Sequence, residues 1–346
     1  MRSTPTALFA AVLLLAAPAS ARTLVVLNKA EATASLIDLA SGKVVATVPT
    51  GAGPHEVAIS PDGKRALVGN YGAQVPGSTL TLIDLETRSV VKTIDLGEYK
   101  RPHGIEYTAD GKRALVTVEQ NKALIVVDVA EGKVVQTIAT DANVSHMVAT
   151  TPDGRHAFVA NIGSGSMTAI DLAGGKKLKD IATGAGAEGI AVTPDGKTVW
   201  VTNRAADTVS VVDTATLEVV ATLPSAQFPI RAKATPDGKH VLVTNARSGD
   251  VTVFDAAARK EVRRIPMSAT AGETTTEERL FGGEFGSSPV PIGILIEPDG
   301  KRAYVAMANA DEIAVVDLEK WAVVGSLRAG KEPDGLGFSP LRLGSE

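Results

Sequence analysis

Three histidines in the first half of the chain share one position. His55, His103 and His146 each lie seven residues before the aspartate of a recurring turn, and the equivalent positions of the other repeats are Asp334, Glu188, Ile230 and Ile292. In ring order the series reads Asp334, His55, His103, His146, Glu188, Ile230, Ile292, so the ionisable members are consecutive. Imidazoles and carboxylates converging at one depth form a borderline ligand set for zinc, copper, iron or nickel. The cofactor expected is one transition-metal ion, with His55, His103, His146, Glu188 and Asp334 as its ligands. A histidine group also supplies a general base near neutral pH, which makes His103, His146 and Glu188 the catalytic candidates. Repeats inherit residues from one another, so the plain alternative is a duplicated Pro-His pair without function. His156 and His240, just past their turn aspartates, are expected on solvated hairpins.

A second set lies nine residues after the turn aspartates: Tyr71, Glu119, Ile162, Arg204, Ala246 and Ala308, with Asn28 completing the series. Tyr71, Glu119 and Arg204, together with Arg231 beside Ile230, are the ligand-binding candidates. Guanidinium groups facing an imidazole arc suit an anionic ligand, because they bind carboxylate or phosphate in a bidentate manner. The alternative is ordinary surface charge on loops.

What must position these residues is a repeat. Pro-Asp-Gly occurs at Pro61, Pro152, Pro194, Pro236 and Pro298, with Ala109-Asp110-Gly111 as a degenerate copy. The gaps between successive aspartates are 48, 43, 42, 42 and 62 residues. An apolar residue followed by Asp recurs at Asp38, Asp84, Asp128, Asp171, Asp213, Asp255 and Asp317 with nearly the same period. About 42 residues matches the ~40–45 of a four-stranded propeller blade. One unit reads as four strands: Gly189–Thr193, then TVWVTN, TVSVVD and LEVVATL, with alternation and β-branched residues. Proline sets the first turn residue, the aspartate bonds its own backbone, and glycine takes the positive φ. Residues 22–49 hold only the last three strands of a unit, and the missing inner strand stands at Glu332–Pro340. The expected fold is therefore all-β: seven four-stranded antiparallel blades, closed by N- and C-terminal strands sharing one blade, in a single domain over 22–346. In that strand order the two residue sets surround one mouth of the central channel.

The second strands AFVAN (157–161), VWVTN (199–203), VLVTN (241–245) and ALVGN (66–70) resemble the YVTN-repeat β-propellers, a bacterial and archaeal family of exported and surface proteins. The Trp-Asp and Gly-His marks of WD-repeat propellers are absent. The resemblance implies relatives that include sugar-lactone hydrolases, a streptogramin lyase and haem-binding propellers of the nitrite-reductase type.

Composition narrows the function further. The chain of 346 residues is 44% hydrophobic, 21% charged and only 4% aromatic, so aliphatic side chains must fill the core. A net charge of −4 and few aromatics argue against nucleic acid as a partner. The absence of cysteine excludes disulfides, thiolate metal sites and covalent haem. Arg2, the apolar run 7–17 and Ala19-Ser20-Ala21 read as a signal peptide over 1–21, which implies export to a periplasmic or extracellular location. That run is too short to span a bilayer, so no transmembrane segment is expected. The 62-residue gap contains an insertion, 268–288, polar and glycine-rich with Phe281 and Phe285, which reads as a lid hinged at Gly282, Gly283 and Gly286. The leading expectation is an exported, monomeric propeller that binds a metal or metal-bound small molecule at the channel mouth. The alternatives are a metal-dependent lactone hydrolase or lyase, and a scaffold that docks a protein on the same face.

Overall fold

In the computed structural model, residues 22–268 and 284–344 are described. The leader read at 1–21 and most of the insertion, 269–283, lie outside them. Among the described residues there are seven four-stranded antiparallel sheets. Blade one orders its strands as Pro333–Ser339, Thr23–Asn28, Thr33–Asp38 and Lys43–Pro49, so the two ends of the chain share it as expected. Blades two to seven start with the inner strands Pro54–Ile59, Pro102–Tyr107, Ser145–Thr150, Ala187–Val192, Pro229–Ala234 and Pro291–Ile296. Closure is reinforced at both ends of the shared strand: Gly330 N donates to Asn28 Oδ1 at 2.8 Å, and Thr23 Oγ1 to the Leu341 carbonyl at 2.9 Å.

The core lies between blades rather than in the channel. Leu67, Leu80 and Ile94 of blade two pack against Val116, Ile125 and Val127 of blade three, and comparable aliphatic clusters join other neighbours. Trp200 and Phe254 meet across blades five and six with ring centroids 5.7 Å apart. Burying each such side chain is worth about 1.5–3 kcal/mol.

Two residues of the YVTN-like strand fix the mouth. Its asparagine donates to hydroxyls of the third strand, as Asn70 Nδ2 does to Thr79 (2.9 Å) and Thr81 (3.0 Å). Its carbonyl oxygen accepts from Gly51 N at 3.0 Å, which ties down the loop leading to Pro54 and His55. The threonine one residue earlier works between blades. Thr117 Oγ1 accepts from Gly104 N at 2.8 Å and donates to the carbonyl of His146 in the next blade. Gly104 is required there, because a Cβ would stand 2.7 Å from that same carbonyl. Depth of the inner ring is thus set by backbone contacts that repeat.

At the other end of the blades the turns interlock. A Cβ on Gly111 would meet Pro61 at 3.2 Å, and one on Gly196 would meet Pro152 at 3.2 Å. Gly154, whose neighbouring turn carries Ala109 instead of proline, has nothing within 4 Å.

Candidate functional site at the channel mouth

Inner-strand starts and second-strand ends bring both sets of residues to one face. His55, His103 and His146 follow one another around the mouth, with ring centroids 5.1 Å apart for the first pair and 3.5 Å for the second. Tyr71 packs against both His55 (4.5 Å) and His103 (5.6 Å). The imidazoles differ in the direction in which their surroundings move their pKa. His55 places Nδ1 2.9 Å from the Gly53 carbonyl and so donates there, leaving Nε2 as the acceptor. Burial, then Lys29, keeps its pKa well below the ordinary value. Burial does the same to His103, aided by His146, and its buried Nδ1 has no hydrogen-bond partner.

His146 is the exception. Its Nδ1 lies 2.5 Å from Glu119 Oε1, and its Nε2 lies 3.2 Å from Glu188 Oε1 at ion-pair distance without hydrogen-bond alignment. Burial disfavours its charge, but the two carboxylates outweigh burial and raise its pKa. Glu119 also accepts from Tyr71 Oη at 2.6 Å. Burial and that carboxylate push the Tyr71 phenol up. Glu188 accepts from Arg204 at 2.6 Å and from Arg231 at 3.1 Å. Burial pushes the Glu188 carboxyl up, but His146 and the two arginines overcome it and hold it at about 2.

Arg231 reaches across the channel to Glu56, which accepts from its Nη2 at 2.8 Å and from its Nε at 3.0 Å. The arginines read as anion receptors are therefore already held by protein carboxylates. Glu56 was not among the expected residues, although it occupies in blade two the register that Arg231 occupies in blade six. Asp334 is buried with Oδ1 unpartnered, and burial, opposed by Arg231 and Lys29, raises its carboxyl to about 6.

One potential ligand atom from each of His103, Glu119 and His146 lies within 4.8 Å of the other two. Glu119, expected as a ligand-binding residue, thus joins two of the expected metal ligands. His55 stands beside that group, while Glu188 is engaged by the arginines. This donor set of two imidazoles and a carboxylate fits a first-row transition metal.

Residues 6–109 and 115–278 match the family described as YNCE-like beta-propeller. The chain belongs to that family. No match was found among curated protein sequences. Solved structures similar to this YNCE-like propeller include Kuenenia stuttgartiensis hydrazine synthase, 20% identical with a TM-score of 0.68 over 82% of this chain and 88% of that one. A functionally unknown protein from Desulfotomaculum acetoxidans is 15% identical with a TM-score of 0.74, covering 92% of this chain and 98% of the other. Dihydro-heme d1 dehydrogenase NirN in complex with DHE is 19% identical with a TM-score of 0.63 over 89% of this chain, which spans 64% of that protein. At these identities the likeness is one of fold.

Four non-ionisable members of the two rings also come together in this YNCE-like propeller. Ile230, Ile292, Ala246 and Ala308 form an apolar hollow, and Phe285 from the end of the insertion is buried in it. Arg247 stacks over Phe285 at 4.9 Å and over Phe228 at 5.6 Å. Phe285 is thus a core side chain rather than the free tip of a lid, because an apolar hollow of this size strips it of water. Phe281, Gly282 and Gly283 of the expected lid lie outside the described residues.

Proposed function

We propose that this propeller binds a transition-metal ion at its channel mouth and, beside it, a small-molecule ligand. The observation that carries this reading is the buried convergence of His103, Glu119 and His146, with the Nδ1 of His103 unpartnered. A buried imidazole nitrogen without a partner costs free energy unless something accepts its lone pair or its proton. Such an ion supplies Lewis acidity when bound. The remaining residues have roles of their own. Tyr71 orients Glu119 through its hydroxyl, and Arg204 and Arg231 keep Glu188 ionised beside His146. Glu119 and Glu188 raise the His146 pKa, so metal and proton compete for this imidazole. The likeness to a dehydrogenase solved in complex with DHE supports a ligand-binding role without naming the ligand. Export rests on the leader read at 1–21.

The test is metal analysis of protein made without a histidine tag, followed by metal titration across pH. One equivalent is expected, with binding that weakens as pH falls because proton uptake at His146 opposes it. The double variant His103→Ala, His146→Ala should lose the metal and keep its far-ultraviolet spectrum. A metal-free parent that takes up no added metal would reject the reading and leave a protein-docking scaffold.

A hydrolase or lyase is the second reading. Its support is His146, a buried imidazole set between the carboxylates of Glu119 and Glu188, an arrangement suited to proton transfer. Turnover of a lactone and ester panel, lost in His146→Ala, distinguishes it from binding alone.

A further inference from the structure

The channel below the mouth contains a separate chamber. A cavity of about 460 Å³ is lined by inner-strand residues of all seven blades, with the Glu56–Arg231 ion pair on its mouth side. Ile105, Ile190, Ile294, Ile296, Leu336 and Phe338 are part of its lining, with polar surface in similar measure. Two ionisable side chains of opposite sign break that lining: Glu106 on the inner strand of blade three and Lys233 on that of blade six. They occupy the same register of their strands, four residues before the turn aspartates.

These two groups do not satisfy each other. Among the described residues no ion pair joins them, and the ammonium of Lys233 makes no hydrogen bond. Glu106 accepts one, from Thr150 Oγ1 at 2.9 Å. The backbone of Thr150 also reaches this carboxylate, which has about four acceptor sites, so some capacity is left for a ligand. Burial pushes the Glu106 carboxyl up, against the pull of Lys233, as expected where charge is imperfectly compensated.

We infer that this chamber is a second ligand site, for a small zwitterion with an apolar body, its ammonium against Glu106 and its carboxylate against Lys233. A simple anion would meet Glu106, and a simple cation would meet Lys233 with Arg231 behind it, whereas a ligand carrying both charges is matched to both groups. The cavity falls within the ~300–1,000 Å³ of small-molecule sites and brings apolar side chains together with convergent polar groups, as such sites do. Entry is from the turn-bearing face, where Lys233 remains exposed and the Arg231–Glu56 bar does not intervene. This site does not depend on the metal reading of the mouth.

The test is calorimetric titration of the full chain with leucine and with 5-aminopentanoate. Leucinamide and N-acetylleucine serve as singly charged controls. At least one zwitterion should bind saturably, with both controls weaker by roughly tenfold or more, the scale of one charged hydrogen bond. Lys233→Met and Glu106→Gln should each weaken the zwitterion by a similar factor while leaving the melting temperature and the metal content unchanged. Absence of saturable binding by either zwitterion would overturn the inference. So would equal binding of the controls, or binding that survives both substitutions.

Discussion

Removing the Glu188 carboxylate would strip a partner from two guanidinium groups and one imidazole at once. Arg231 keeps Glu56 and Arg204 is part-exposed, so the loss is not that of a fully orphaned buried ion. Glu188→Gln is therefore expected to cost about 1–3 kcal/mol, the penalty of an unmade charged hydrogen bond. The same change removes one of the two carboxylates that raise the His146 pKa, so that histidine should titrate at lower pH in the variant. Nuclear magnetic resonance of the imidazole protons reads this directly. An unchanged His146 midpoint would mean that Glu119 alone sets its charge.

Single elements carry two further predictions, both at the turns. In the repeated Ser/Thr-Pro-Asp-Gly-Lys unit, the hydroxyl donates to Asp Oδ1 at 2.6 Å in Ser60–Asp62 and at 2.7 Å in Thr193–Asp195. Backbone N–H groups two residues on donate to the same oxygens, as Lys64 N does at 3.0 Å. The hydroxyl hydrogen bond and then the backbone one lower the pKa of Asp62 and Asp195 in the folded protein, and Asp110, Asp153 and Asp237 move the same way. A carboxyl lowered on folding stabilises the native state above its unfolded value and loses that contribution as pH falls through the folded value. Stability should thus decline as pH drops below about 4, and the decline should be shallower when several turn aspartates are replaced by asparagine. Denaturant unfolding at a series of pH values checks the slope. Ala109→Pro is expected to stabilise by about 0.4–1 kcal/mol, since proline fits that turn position elsewhere and restricts the unfolded chain. The turn hydrogen bond runs from Gly111 N to the Thr108 carbonyl at 2.8 Å, so the N–H of residue 109 is not used in it. A lower melting temperature would show that the third-blade turn departs from its siblings.

At the scale of the whole molecule, the ring is held by its shared blade. Deleting residues 332–346 removes the inner strand of blade one, which pairs with Thr23–Asn28. It also removes Ser339, whose hydroxyl donates to the Gly63 carbonyl of blade two. Two sheet edges and two inter-blade faces would then open to water, and the loss should reach every blade because each packs only on its neighbours. Cooperative thermal unfolding should collapse to a broad transition at much lower temperature. A truncated chain that melts sharply at the parent temperature would disprove closure as the source of stability.

The period of about 42 residues, the strand alternation and the Pro-Asp-Gly turns are local patterns repeated many times, so the blades, their number and the depth of the histidine ring could be read from the sequence. The shared blade was legible as well, because an incomplete unit at one end and a spare strand at the other have one economical solution. Pairings across the ring were not. Glu56 and Arg231 are 175 residues apart and meet only because blades two and six face each other over the channel. Glu119 joins His103 and His146 because the end of one second strand overhangs the start of the next inner strand, and the sequence register alone assigned it to a different ring. Phe285 carries no periodic signal at all; it is buried because Ile230, Ile292, Ala246 and Ala308 leave an apolar hollow above blades six and seven. Local patterns determine the backbone of a repeat, whereas the choice of partner for each charge and each exposed ring depends on distances that exist only after the ring has closed.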